Sequence, residues 1–150
     1  MNELDQLYQQ VILDHAKRRI GSPLVDPAAG ELHGESHQHN PICGDQIRVR
    51  VAVGENDHFT AMSWEGDGCS ISMASASVLS EMLPELTKDE FLDKLEVFRE
   101  MMRSRGAMVP DEEVLEDAAA FVGVSKFPAR VKCAMLAWVA AEAAMLGASA

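Results

Sequence analysis

The sequence predicts an α+β fold: a small antiparallel sheet of about three strands packed against about five helices, in a single domain spanning residues 1–150. Three observations predict it. Apolar residues recur at helical spacing near the N-terminus and again through the second half of the chain. Between these regions Ile47, Val49, Val51 and Val53 alternate with Gln46, Arg48, Arg50 and Ala52, the mark of a half-buried strand. A length of 150 residues, 47% apolar and 25% charged, suits one hydrophobic core.

Leu4, Leu7, Tyr8, Val11 and Ile12 share one side of a helix over residues 3–19, which Gly21, Ser22 and Pro23 end. Residues 21–44 are rich in Gly, Pro and His and lack an apolar period, so a long loop is expected there. After the strand through Val53, Gly54-Glu55-Asn56-Asp57 forms a turn and residues 58–65 return antiparallel. Gly66-Asp67-Gly68 interrupts this strand just before Cys69. A small-residue helix follows from Ser70 through Met82 and stops at Pro84. Thr87 and Glu90 form a capping box for a helix with Phe91, Leu95, Phe98 and Met102 on one face. A short helix over about 111–122 is closed by Gly123, and Pro128 opens a last helix that reaches Leu146 before Gly147.

A net charge of −11 excludes a binder of nucleic-acid backbone, which needs clustered Lys and Arg. The Lys17-Arg18-Arg19 run reads as a helix C-terminus complementing the dipole, with docking to an acidic partner surface as the alternative. No stretch reaches the roughly 18 to 20 apolar residues that cross a bilayer; Val131 to Leu146 is broken by Lys132 and Glu142. The N-terminus has no signal-peptide pattern, so a cytoplasmic location is expected. Cys43, Cys69 and Cys133 are odd in number and far apart. In a reducing compartment each is a buried hydrophobe, a metal ligand or a reactive thiol.

Cys43 lies in Asn40-Pro41-Ile42-Cys43-Gly44-Asp45, where Pro41 stiffens the backbone and Gly44 permits a sharp turn. Extended backbone would point Cys43 and Asp45 the same way, a pairing that suits a divalent metal. Cys69 begins a helix, whose N-terminus favours the thiolate. Cys133 follows Lys126, Arg130 and Lys132, cations that act on its thiol in the same direction. Singly, each cysteine is more often inert packing, and no Cys-x2-Cys pair is present. His33, His37 and His39 raise a second metal site, but solvated loop histidines are the commoner case. His15 and His58 receive the plain structural reading. The serines after Cys69 lack a catalytic His–Asp pattern and are read as close helix packing, and Met101 and Met102 as core filler.

Three blocks carry a resemblance. Asn40 to Asp45, Gly66-Asp67-Gly68-Cys69-Ser70-Ile71-Ser72-Met73-Ala74-Ser75 and the run from Gly123 to Cys133 closely resemble SufU-type iron–sulfur cluster assembly proteins, within the wider IscU/NifU N-terminal group. The opening Leu7 to His15 is similar as well, although Ala16-Lys17-Arg18-Arg19 departs from the family's usual Tyr and Asn-Pro. The resemblance implies a SufE/NifU-like fold and Zn²⁺ held by Cys43, Asp45, Cys69 and Cys133; three thiolates and a carboxylate then leave a formal charge of about −2, which Arg130, Lys132 and Lys126 could partly offset, a solvated helix start being the alternative for these cations. It implies Cys43 as the thiol that accepts persulfide sulfur from a SufS-type cysteine desulfurase, with a downstream iron–sulfur assembly scaffold as the next partner.

Scaffolds of the IscU branch carry His immediately before the last cysteine, where this chain has Lys132, an ammonium that ligates nothing at neutral pH. The stretch between Cys69 and Cys133 also exceeds the scaffold branch by a helical segment. Both features favour a zinc-dependent sulfurtransferase, Cys43 leaving the zinc to react. A [2Fe–2S] scaffold on the same ligands, or a structural zinc domain that only binds a partner, are the alternatives.

Overall fold

Asn2 caps the first helix, α1 (Glu3–Arg18), by accepting the Asp5 N–H at 2.8 Å. The computed structural model describes residues 2–41 and 44–148. Arg19 ends α1 in the left-handed region at φ 47. Its guanidinium covers the Trp64 ring at 4.8 Å and donates to the Gly66 carbonyl at 3.3 Å. The basic run therefore divides its work. Arg18 lies 3.4 Å from Asp14 one turn back, while Arg19 fastens the helix end beneath the sheet.

Three strands follow, β1 (Leu32–Asn40), β2 (Asp45–Val53) and β3 (Phe59–Asp67), antiparallel in the order β1-β2-β3. The expected loop over 21–44 is thus corrected over Leu32–Asn40, which is strand. β1 escapes periodicity because its inward side carries Gly34, Ser36, Gln38 and Asn40 rather than apolar residues. What seats it is lack of bulk. A Cβ on Gly34 would stand 1.9 Å from the Ala144 carbonyl oxygen, so only bare backbone can lie this close to the last helix. β3 also runs two residues beyond expectation, through Gly66, paired with Ile47, to Asp67.

The helices are α2 (Ser70–Met82), α3 (Lys88–Arg103), α4 (Glu112–Leu115) and α5 (Pro128–Leu146). The capping box of α3 is made in both directions by Thr87 and Glu90. The helix expected over 111–122 is instead one turn of α4 followed by a 3-10 segment, Glu116–Lys126. Glu116, at φ 51, breaks the α-helical path, and Gly123 lies inside the 3-10 segment instead of closing a helix. Among the described residues no helix is long and apolar enough to cross a membrane.

Ile47, Val49, Val51 and Trp64 turn the inner face of the sheet towards α2 and α5, and all four are buried. Phe98 stacks on Trp138 with ring centres 4.3 Å apart. Ser75 of α2 donates to the Ala134 carbonyl of α5 at 2.6 Å and accepts the Trp138 indole N–H at 3.2 Å.

Tyr8 joins α1 to α4 through a 2.5 Å hydrogen bond from its hydroxyl to Glu112 Oε1. Burial, then the bond to the Glu112 carboxylate and its charge, push the phenol up to about 12. The neutral phenol is favoured by the fold, so its stabilisation is complete below about pH 10 and is lost as pH rises from about 10 to about 12. Tyr8 is the sole tyrosine of the chain, so tyrosinate absorbance reports it alone. The midpoint is expected near 12, moving down towards 10 in Glu112→Gln. Equal midpoints in the two proteins would discard the bond.

Candidate metal centre

Asp45 opens β2, Cys69 is the N-cap of α2, and Cys133 lies in the second turn of α5. Residues distant in sequence meet because β3 delivers the chain to α2 directly beside the start of β2. Gln46 pairs with Asp67, leaving only Gly68 before Cys69. A carboxylate oxygen of Asp45 and the two Sγ atoms all lie within 4.8 Å of one another. Asp45 is 2% exposed and Cys133 0%, while Cys69 is half-buried and gives the corner its opening.

Asp45 is held in place by the backbone it touches. Its Oδ1 accepts the Cys69 N–H at 3.2 Å, and its Oδ2 lies 3.8 Å from Cys69 Sγ. Gly68 makes this approach feasible. A Cβ there would meet Ser72 Oγ at 2.5 Å and Asp45 Oδ1 at 2.9 Å. Ser72 donates to the Cys69 carbonyl at 3.1 Å and stands 3.6 Å from its sulfur.

Burial pushes the Cys69 thiol up, but hydrogen bonds from the Ser72 backbone and hydroxyl and from Cys133 outweigh it, and the net shift is down. Arg130 responds from the other side. The Cys69 thiolate first, then a hydrogen bond with Cys133, raise the guanidinium above its ordinary value. Arg130 is therefore the cation that faces both sulfurs. Lys132 is exposed and borders a hollow with His39, Pro41 and Met135, and Lys126 lies along Gly106.

Two thiols and a carboxylate are the donors that zinc takes in tetrahedral sites, and two sulfurs bound at about 2.3 Å stand about 3.8 Å apart. A spread of at most 4.8 Å accommodates that arrangement with small side-chain shifts. Of the four ligands that the sequence nominates, Asp45, Cys69 and Cys133 come together, and Cys43 lies outside the described residues. His33, His37 and His39 stand on β1 and are not among the donors grouped at this corner. Sequence reasoning missed Ser72 and the close approach at Gly68. The small residues flanking Cys69 are their only trace in the sequence.

Two thiols and a carboxylate drawn to a sheet–helix corner, with an arginine facing them, give this small α+β domain a group that could hold a metal ion. The chain belongs to the NifU-like N-terminal domain family, matching it over residues 7–145. It is 41% identical over 140 residues to the zinc-dependent sulfurtransferase SufU of Bacillus subtilis (strain 168), covering 93% of this chain and 89% of that one. It is 36% identical over 147 residues to the iron–sulfur cluster assembly scaffold protein IscU of Streptococcus pyogenes serotype M1, covering 97% and 86%. A crystal structure from Fervidobacterium islandicum AW-1, described as a scaffold protein for the SUF system, superimposes with a TM-score of 0.77 at 30% identity. That match covers 93% of this chain and 97% of the other.

The contacts at Gly68 give a test of the corner. Gly68→Ala is expected to force Asp45 and Ser72 apart and to weaken zinc affinity about tenfold or more, the scale on which disturbed support of a ligand acts. Competition with a chromogenic chelator measures it. Unchanged affinity in a folded variant would mean that Asp45 does not hold the metal.

Proposed function

We propose that this protein is a zinc-dependent sulfur carrier of iron–sulfur cluster assembly. It accepts persulfide sulfur on Cys43 from a SufS-type cysteine desulfurase and hands it to a downstream assembly scaffold. The observation that carries this reading is the convergence of Asp45, Cys69 and Cys133 within 4.8 Å. It is supported by the name and similarity of the Bacillus relative and, through the resemblance, by Lys132, an ammonium that supplies no ligand just before Cys133.

Cys69, Cys133, Asp45 and Cys43 are the residues that would hold Zn²⁺, and the bound ion would keep their thiols deprotonated. In the transfer, the Cys43 thiolate attacks the outer sulfur of the donor persulfide. A new S–S bond forms on Cys43 as the donor S–S bond breaks, and the desulfurase cysteine leaves as a thiolate. Arg130, facing both buried-side sulfurs, offsets part of the negative charge of a thiolate-rich set. Asp45 fixes the start of β2 next to Cys69 through the Cys69 N–H.

The same donors suit a [2Fe–2S] cluster, and the Streptococcus relative is named as a scaffold. Metal analysis with an anaerobic visible spectrum separates the two: zinc without cluster absorption supports the carrier. Cys43→Ala is expected to abolish stimulation of desulfurase turnover, and intact stimulation would refute the sulfur-acceptor role. Asp45→Ala is expected to lower the zinc content of the purified protein to well below one ion per chain, measured by elemental analysis. Full zinc in that variant would remove Asp45 from the ligand set.

A further inference from the structure

His15 and Ser77 are buried polar side chains that the thiolate corner does not use. His15 lies in the last turn of α1 and is 1% exposed. Its Nδ1 stands 2.8 Å from the Oγ of Ser77 on α2, a hydroxyl that also accepts the Ile20 N–H at 3.0 Å. Its Nε2 faces the other way, 2.9 Å from Asp117 Oδ2 at the head of the 3-10 segment. Glu81 follows Ser77 by about one helical turn and so shares its face of α2. A nitrogen of His15 and one carboxylate oxygen each from Glu81 and Asp117 all lie within 4.8 Å of one another.

Two ligand atoms held about 2.0–2.2 Å from a tetrahedral ion stand about 3.3 to 3.5 Å apart. The spacings here, 2.9 Å between His15 and Asp117 and at most 4.8 Å overall, bracket that value. A ligating histidine is oriented by a hydrogen bond from its other ring nitrogen, and Ser77 stands at Nδ1 to accept one. With Nδ1–H given to Ser77, an ion takes the place of the proton that Nε2 shares with Asp117. The surroundings favour a cation. Glu81 occupies the last turn of α2, where the carbonyls present the negative end of the helix dipole and no basic residue stands. Arg18 compensates only in part, lying 3.8 Å from Glu81 and 3.4 Å from Asp14 with half of its side chain in solvent. The side chains of Glu81 and Asp117 are 47% and 48% exposed, so the carboxylate side of the group opens to solvent.

We propose that His15, Glu81 and Asp117 form a sulfur-free metal site, taking a divalent ion of borderline softness such as zinc or cobalt, with water completing its shell. The site does not rest on the sulfur-carrier reading, because it shares no residue with the thiolate corner. Its donors come from three elements, so a bound ion would fasten the ends of α1 and α2 to the 3-10 segment and raise the melting temperature.

Titration of the full-length protein, loaded with one Zn²⁺ per chain, with Co²⁺ tests the site by calorimetry and visible absorption. One saturable Co²⁺ per chain is expected, with d–d bands but without the intense near-ultraviolet charge transfer of cobalt–thiolate bonds. Binding is expected to weaken about tenfold or more in Glu81→Gln and in Asp117→Asn. Both substitutions keep an amide of the same shape at half-exposed positions, so the variants report binding and not folding. Glu116→Gln removes the same charge from the residue beside Asp117 and is expected to leave binding unchanged. Absence of saturable binding, thiolate charge transfer from the bound cobalt, or equal weakening in Glu116→Gln would each overturn the proposal.

Discussion

The hydroxyl of Ser75 fixes how α2 sits on α5, and the thiolate corner depends on it. Ser75 satisfies two buried groups at once, the Ala134 carbonyl and the Trp138 indole N–H. Cys69 precedes it by six residues on α2, and Cys133 adjoins Ala134 on α5. A slip of one helical turn, about 5.4 Å, would exceed the whole 4.8 Å spread of the candidate ligand atoms. Ala74, Ala76, Ala137 and Ala141, all fully buried, keep the two helices near enough for a short hydroxyl to bridge them. The alanine- and serine-rich composition after Cys69 is thus a requirement of distance, since larger side chains would separate the sulfurs.

Much of this was legible in the sequence where side-chain pattern and structure share a cause. The α3 capping box, the strand through Ile47 to Val53 and the start of α2 at Cys69 all follow from local chemistry. β1 was not legible because its inward residues are small or polar and its fit depends on contact with α5, more than a hundred residues away. The 3-10 segment was missed for a related reason: its buried Ala118, Ala119 and Ala120 read as helix formers, and the break lies in the backbone of Glu116. Of the three cations ahead of Cys133, spacing alone could not single out Arg130, because that choice depends on where α2 ends up. The motif blocks nominated Asp45, Cys69 and Cys133, which the fold brings together, but the supports at Gly68 and Ser72 emerge only when β2 and α2 meet.

The corner is asymmetric in a way that bears on reactivity. Cys133 is sealed, Cys69 is half-buried with its thiol eased towards the thiolate, and the Arg130 guanidinium stands at the boundary with solvent. A chain of net charge −11 gathers two thiols and a carboxylate in one place, and Arg130 sets a positive group against them.

The bare backbone of Gly34 carries a mechanical consequence. At that point the strand rests against the Ala144 carbonyl and close to the Ala148 amide, so the final turn of α5 and the edge of the sheet form a single joint. Helix ends are the first parts of a protein to fray. Here such fraying would loosen the seat of β1, and the disturbance would travel about 20 Å along the strand to Asn40, the residue paired with Asp45. The tail of the last helix thereby acts as a remote tensioner for the hairpin end on which the Asp45 carboxylate is mounted.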